Sequence, residues 1–173
     1  MKNTAIFLIF ASVLFLTASS ADAKSLTADL RGTSADSAVT GEVQFHETPK
    51  GLKVLAHIEG AAAGKHGIHI HEKGDCGDSG NAAGGHFNPE GLPHGEASKD
   101  GIAHVHAGDL GNIEIGPDGK GDLEITIPGL TVEPGKFSVS GRSVILHEKE
   151  DDYGQPTGNA GGRIGCAEIP SAV

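Results

Sequence analysis

The chain has no tryptophan, one tyrosine and one methionine in 173 residues. Helical periodicity is nearly absent, since apolar residues seldom recur at three- and four-residue spacing, and this removes the helical-bundle classes. Basic side chains are also scarce: 13 Lys and Arg stand against 23 Asp and Glu, a formal net charge of −10. That balance excludes broad binding to nucleic acid or anionic lipid. Only one long apolar run occurs, Ala5 to Leu16, and it is too short to cross a bilayer as a lone helix. Lys2 precedes it and a small-residue stretch ending Ala21-Asp22-Ala23 follows it. A charged start, an apolar centre and an A-x-A end predict a secretory signal peptide over residues 1–23. No cysteine follows the run, so a lipid anchor is not expected. The domain then covers residues 24–173, 150 residues and one core, with no membrane association after cleavage. Cysteine is limited to Cys76 and Cys166. In an exported chain two thiols suggest one disulfide, here closing 90 positions and contributing about 4–5 kcal/mol in the chain-entropy account.

What the chain does have is glycine, 27 residues of it, and short alternating runs. Leu26–Leu30, Val39–Phe45, Leu52–Ile58, Ile68–His71, Ile113–Ile115, Leu123–Ile127 and Ser143–His147 read as half-buried strands. Thr48-Pro49-Lys50-Gly51 and Pro117-Asp118-Gly119 read as turns between them. The expectation is an all-β chain, an antiparallel β-sandwich or flattened barrel. Two stretches break the rhythm, residues 72–105 and 148–162, and both begin directly after a histidine that ends a predicted strand. Loops this long in a compact domain are functional or disordered. The tail from Pro170 to Val173 is expected to fray.

Ten histidines are the second abundance. His69 and His71, two apart in a strand, present their rings to one face, while His66 faces the other way. That pair alone fits a solvent-facing polar edge as well as a metal site. His86, His94, His106, Asp109 and His147 then flank the long loops, which can fold back onto the strand ends. Imidazole is the commonest nitrogen ligand of copper and zinc, so the set points to metal.

Five segments in order carry a resemblance: Gly67-Ile-His-Ile-His-Glu-Lys-Gly-Asp75, Ala83-Gly-Gly-His-Phe-Asn-Pro89, Ala107-Gly-Asp-Leu-Gly-Asn112, Val144-Ile-Leu-His-Glu-Lys-Glu-Asp-Asp152 and Thr157-Gly-Asn-Ala-Gly-Gly-Arg163. Together they resemble the signature segments of copper,zinc superoxide dismutases, and the exported bacterial type of that family in particular. The resemblance implies a Greek-key fold of about eight strands. It implies copper on His69, His71, His86 and His147, and zinc on His86, His94, His106 and Asp109, with His86 bridging. His104 competes with His106, whose three-residue offset from Asp109 favours it. Asp151 matches a carboxylate that hydrogen-bonds one ligand of each metal. Arg163 matches the arginine that attracts and orients the anion, with Thr157 in the same channel, and a Cys76–Cys166 bridge would pin the loop beside it. His66 matches a position inside the barrel, and His46, His57 and His104 are expected to be structural or surface residues.

The reaction so implied is dismutation of superoxide to oxygen and hydrogen peroxide, an antioxidant activity, with one copper and one zinc per subunit. His86 would take up a proton on the copper side and pass it on. The stretch between Asp152 and Arg163 is shorter than in the eukaryotic cytosolic form, so that form's guiding charges do not carry over. Lys73, Lys99 and Lys149 remain as steering candidates by charge alone. A bacterial periplasm is the expected compartment, with another extracytoplasmic space as the alternative. Family members assemble differently, and a homodimer is one arrangement to test. The rival readings are a copper or zinc buffer with the same fold and a dismutase-like interaction domain; the intact ligand set and Arg163 count against both.

Overall fold

Side chains that alternate between water and core build half of the strands of this protein. The computed structural model describes residues 24–171; the expected signal peptide, residues 1–23, and the end of the tail lie outside the described residues. Ser25–Gly32 (β1), Thr40–Thr48 (β2) and Gly51–Glu59 (β3) bury every second side chain, which is the period of a sheet with one wet face. Gly64–His71 (β4), Asp109–Ile115 (β5), Lys120–Ile127 (β6), Ser143–His147 (β7) and Arg163–Glu168 (β8) complete eight strands. The hydrogen-bonded order is β5-β4-β7-β8-β1-β2-β3-β6, all antiparallel. β3 pairs with β6 and β4 with β7, so two connections cross over in Greek-key fashion.

β5 and β6 are the two edges of the sheet, yet a tight turn joins them. Gly119 sits at φ +77° there and Gly116 N–H donates to Lys120 O at 2.8 Å. The turn draws the edges together and nearly closes the barrel, which shields edge groups that would otherwise pair with other chains. Inside lies one core, with Leu30, Phe45, Leu52, Ile58, Ile68, Ile70, Leu110, Ile113, Ile127 and Leu146 fully buried. Each such side chain stabilises the fold by about 1.5–3 kcal/mol.

The strand expectations need correction at four places. β4 begins at Gly64 rather than Ile68, β5 at Asp109 rather than Ile113 and β6 at Lys120 rather than Leu123, and β8 has no counterpart among the expected strands. β4, β5 and β8 are largely covered on both faces. Where both faces are buried, the polar–apolar alternation that marks a half-wet strand disappears. The two long stretches do lack strands. The first carries a 3-10 turn at Asp78–Ala83 and a single helical turn at Ala97–Asp100.

Candidate metal centre

Strand pairing sets the centre. His69 stands opposite Ile145 and His71 opposite Ser143 on β7. Period two then puts His69, His71, Ile145 and His147 on the outer face, while Ile68, Ile70, Val144 and Leu146 enter the core. The long loops cover that outer face. Phe87 N–H donates to Ile70 O at 2.8 Å and Gly67 N–H to Lys149 O at 2.8 Å, and every residue of 66–71 and 143–147 is buried. The Phe87 anchor and a bridge between His71 and His86 bring the His86 ring over the strand. Asp109 opens β5 opposite His69, next to an irregularity in the β4–β5 register. Bulges of this kind re-aim side chains beside functional sites.

Three buried groups of ligand-type residues result, the smallest of them, His69, His94 and Asp151, linking the two larger clusters. His69, His71, His86 and His147 offer ligand atoms within 4.8 Å of one another, and His86, His94, His106 and Asp109 do the same. His86 belongs to both. Its Nδ1 lies 2.8 Å from Asp109 Oδ1, which leaves Nε2 for the histidine-only cluster.

The tautomers follow from the outer partners. His69 Nε2 faces Asp151 Oδ2 at 2.8 Å, His71 Nδ1 faces Gly84 O at 3.0 Å, and His147 Nδ1 faces Gly161 O at 3.4 Å. Each partner is an acceptor, so the proton sits on the outer nitrogen and the lone pair on the inner one. Those inner atoms, His69 Nδ1, His71 Nε2 and His147 Nε2, are buried and have no hydrogen-bond partner. Buried polar atoms are as a rule paired, and lone pairs converging on one point fit a cation. His94 Nδ1 lies 2.8 Å from Asp109 Oδ2 yet without hydrogen-bond alignment, as two ligands of one ion would be placed. Imidazole nitrogens with one carboxylate and no thiolate suit copper and zinc rather than magnesium or calcium.

Charge at His71, His86 and His147 agrees with this. In the metal-free chain burial pushes His71 down to about 2, His147 to about 3 and His86 to about 4, so all three are neutral, ready ligands at pH 7. Burial also opposes charge on Asp109 and Asp151, but hydrogen bonds from His106 and His86 to the first, with the His94 ring beside it, and hydrogen bonds from His69 and His94 to the second, hold both carboxyls well below the usual range. For His94 burial lowers the value, and the carboxylates of Asp109 and Asp151 outweigh it, raising the ring to about 9.

A cavity of about 410 Å³ opens onto the four-histidine cluster, lined by His71, His86, His147, Thr157, Asn159 and Arg163. Arg163 stands opposite His147 across a shift in the β7–β8 register. Its Nη1 donates to Gly80 O at 2.6 Å and its Nη2 to Gly84 O at 2.7 Å. The disulfide Cys76–Cys166, with Cα atoms 5.8 Å apart, ties the loop that supplies those carbonyls to the strand that begins with Arg163.

Residues 39–169 match the family model described as copper/zinc superoxide dismutase. The chain belongs to the copper/zinc superoxide dismutase family. It is 44% identical over 137 residues to an extracellular superoxide dismutase [Cu-Zn] of Caenorhabditis elegans, covering 75% of this chain and 60% of that one. It is 41% identical over 140 residues to the extracellular superoxide dismutase [Cu-Zn] of Drosophila melanogaster, covering 76% and 75%. Superoxide dismutase [Cu-Zn] 5 of Dictyostelium discoideum is 40% identical over 140 residues, covering 76% and 90%. Among solved structures, the clock protein EA4 superposes with a TM-score of 0.76 at 32% identity, covering 91% of this chain and 100% of that one. The four-histidine copper site and the His/Asp zinc site of the family thus share His86 here.

The structure brings together His69, His71, His86, His94, His106, Asp109, His147 and Asp151, with Arg163 and Thr157 on the cavity beside them. His106 is buried and His104 exposed, which separates those two. Asp151 spans the centre, its Oδ2 2.8 Å from His69 Nε2 and 2.9 Å from His94 Nε2. His66 is buried, its ring between the carbonyls of Ala62 and His147 at 2.8 Å each. Of the lysines, Lys99 is paired to Glu96 at 2.7 Å, while the stem of Lys149 lies beside Gly161 near the cavity wall. Several contacts escaped the sequence. Asn112, inside one signature segment, pins Asp151 through its backbone N–H at 2.8 Å and C=O at 2.9 Å. Tyr153 and Gln155 meet His94, and no spacing rule marks them, because loop conformation is not periodic.

Proposed function

We propose that the chain dismutates superoxide: two superoxide anions and two protons become one oxygen molecule and one hydrogen peroxide. The observation that carries this is the His86 ring, shared by two buried ligand clusters of which one opens to the cavity and the other is closed. Copper on His69, His71, His86 and His147 would supply the one-electron chemistry, while zinc on His86, His94, His106 and Asp109 is redox-silent.

The chain's own groups do the rest. His86 Nδ1 is committed to the closed cluster, so Nε2 is the atom that can take up a proton beside the cavity and release it to reduced substrate. Asp151 fixes the orientation of His69 and His94 together, and such outer support sets tautomer and ligand strength. Arg163, with two of its N–H groups held by carbonyls, keeps a fixed positive charge at the cavity for a small anion, although the protein as a whole is acidic. Lys149 adds positive charge near the same wall. Three histidines and an aspartate leave the zinc cluster no open position, which argues against a zinc hydrolase.

Export rests on the features of residues 1–23 and on the disulfide, and the domain begins at Lys24 in this reading. The names of the C. elegans and Drosophila relatives support an extracytoplasmic site. The exported bacterial type and its periplasm are the narrower reading taken from the sequence, with secretion as the alternative; fractionation of the native host separates them. Sedimentation distinguishes a monomer from the homodimer that the family resemblance allows. For the activity itself, protein reconstituted with both metals is expected to hold one of each per chain and to accelerate superoxide decay far beyond buffer. Full metal content with decay no faster than buffer would leave a metal-buffering protein instead.

A further inference from the structure

The short loop after Asp151 does more than wall the cavity. Gln155 turns its side-chain amide onto the backbone of His94: Oε1 accepts from His94 N–H at 2.9 Å and Nε2 donates to His94 O at 2.9 Å. A side-chain amide making both bonds imitates a paired strand, and it does so for one residue that no strand reaches. Two positions earlier, the Tyr153 ring lies over the His94 ring, with centroids 6.4 Å apart and planes at 22°. The Tyr153 hydroxyl donates to Glu96 Oε2 at 2.8 Å and accepts from Asn112 Nδ2 at 3.4 Å. Its backbone N–H donates to Asp151 Oδ1 at 2.8 Å.

Two glycines leave room for this arrangement. A Cβ at Gly158, at φ +78°, would stand 1.9 Å from Asp151 Oδ1 and 2.6 Å from His94 Nε2. One at Gly111, at φ +90°, would stand 3.2 Å from the Glu96 side chain. Those backbone angles already favour glycine, and the space each leaves is filled by the contacts around His94.

His94 is therefore held from three directions: its backbone by Gln155, its outer nitrogen by Asp151 and its ring face by Tyr153. Only Nδ1 is left, pointing at Asp109. We infer that Tyr153 and Gln155 are positioning residues for the zinc ligand His94, so that the loop bearing Thr157 and Asn159 and the zinc cluster are fastened together as one body. This inference rests on His94 being a zinc ligand, as proposed above. It assigns zinc retention to two side chains that touch no ligand cluster from within.

The test uses the fully metallated protein with zinc release to a chelator, and cobalt(II) in the zinc position as a spectroscopic report of ligand geometry. Gln155→Ala is expected to speed zinc release about 10- to 100-fold, the usual effect of removing outer support from a metal ligand, and to shift the cobalt visible band. Tyr153→Phe keeps the ring and loses the hydroxyl bond, and is expected to speed release about 3-fold. Gln155→Glu, which places a second acceptor against His94 O, should resemble Gln155→Ala rather than wild type. Copper release should stay at the wild-type rate in all three. Wild-type zinc release and an unchanged cobalt band overturn the inference, whatever happens to the melting temperature of the metal-free form. Asp109→Ala serves as the reference. If it loses the cobalt band while the loop variants behave as wild type, the positioning role alone fails. If it keeps the band, the zinc assignment fails and the positioning role falls with it.

Discussion

Two outer faces of the same sheet both carry histidines, and they behave differently. On β2, β3 and β6 a hollow of about 510 Å³ is lined by Glu42, Gln44, Leu55, His57, Asp122 and Glu124. It is larger than the cavity over β4 and β7, yet it holds no convergent ligand set among the described residues. His57 is exposed, with Nδ1 2.7 Å from Asp122 and Nε2 3.2 Å from Glu59, so both of its nitrogens face carboxylates. His69, fully buried, has one nitrogen on Asp151 and the other free of any partner. A histidine becomes a ligand candidate when its surroundings satisfy one nitrogen and leave the other in a dry place with its lone pair exposed. Loop cover supplies the dryness on one face, and its absence leaves ordinary surface electrostatics on the other.

The comparison can be broken first at His147. His147→Ala is expected to remove turnover, to weaken copper binding and to leave zinc mostly bound, as metal analysis beside a superoxide-decay assay will show. Surviving turnover would mean that the open cluster is not the copper site. Next comes the bridge that fastens the covering loop. Replacing both Cys76 and Cys166 with serine should cost about 4–5 kcal/mol of stability for a 90-residue separation. In a domain of this size that is roughly 10–20 °C of melting temperature. Activity should fall as well, because Gly80 and Gly84, whose carbonyls hold Arg163, lie in that loop. A smaller effect is expected at Lys149. Lys149→Gln should slow superoxide decay by about 2- to 5-fold at low ionic strength and flatten its dependence on salt. An unchanged salt dependence would remove Lys149 from substrate guidance.

The smallest effect belongs to the open face. Hydrogen bonds donated by its ring to Asp122 and Glu59 raise His57 above its ordinary value of 6.5, against a weaker effect of burial. A raised value means that the contribution is fully present below pH 6.5 and is lost as pH rises through the raised value. His57→Gln should therefore change stability by no more than about 0.5 kcal/mol near pH 5.5, since the pair is exposed, and by less near pH 9. Chemical denaturation at the two pH values checks it. A pH-independent difference would assign His57 a packing role instead.

Much of this was legible beforehand, for reasons that differ by element. β1, β2 and β3 showed themselves because one of their faces is wet, and β7 was read to the residue. β8 gives no sign in the sequence, and β4 and β5 show only part of their length; cover on both faces weakens the alternation there, although β7, equally covered, is marked by its apolar run Val144-Ile145-Leu146. The ligand set was legible because its residue types are rare, chemically specific and arranged in family segments. The support for His94 was not, since Tyr153 and Gln155 act through a loop path that follows no period. The three-residue offset from Asp109 favours His106 over His104, and burial agrees, with His106 buried and His104 exposed.

By itself the amino-acid order determined which residues could bind metal and which strand face His69 and His71 would share, because a strand repeats every two residues whatever surrounds it. It also determined the acidic balance and the pair of thiols. Tertiary structure alone decided that the face would be dry, that His86 would stand between two clusters, and that Arg163 would be aimed at the cavity by two carbonyls. Those outcomes depend on contacts between residues as many as 83 positions apart. Such contacts join loops without periodicity to the sheet, so no local pattern in the sequence announces them.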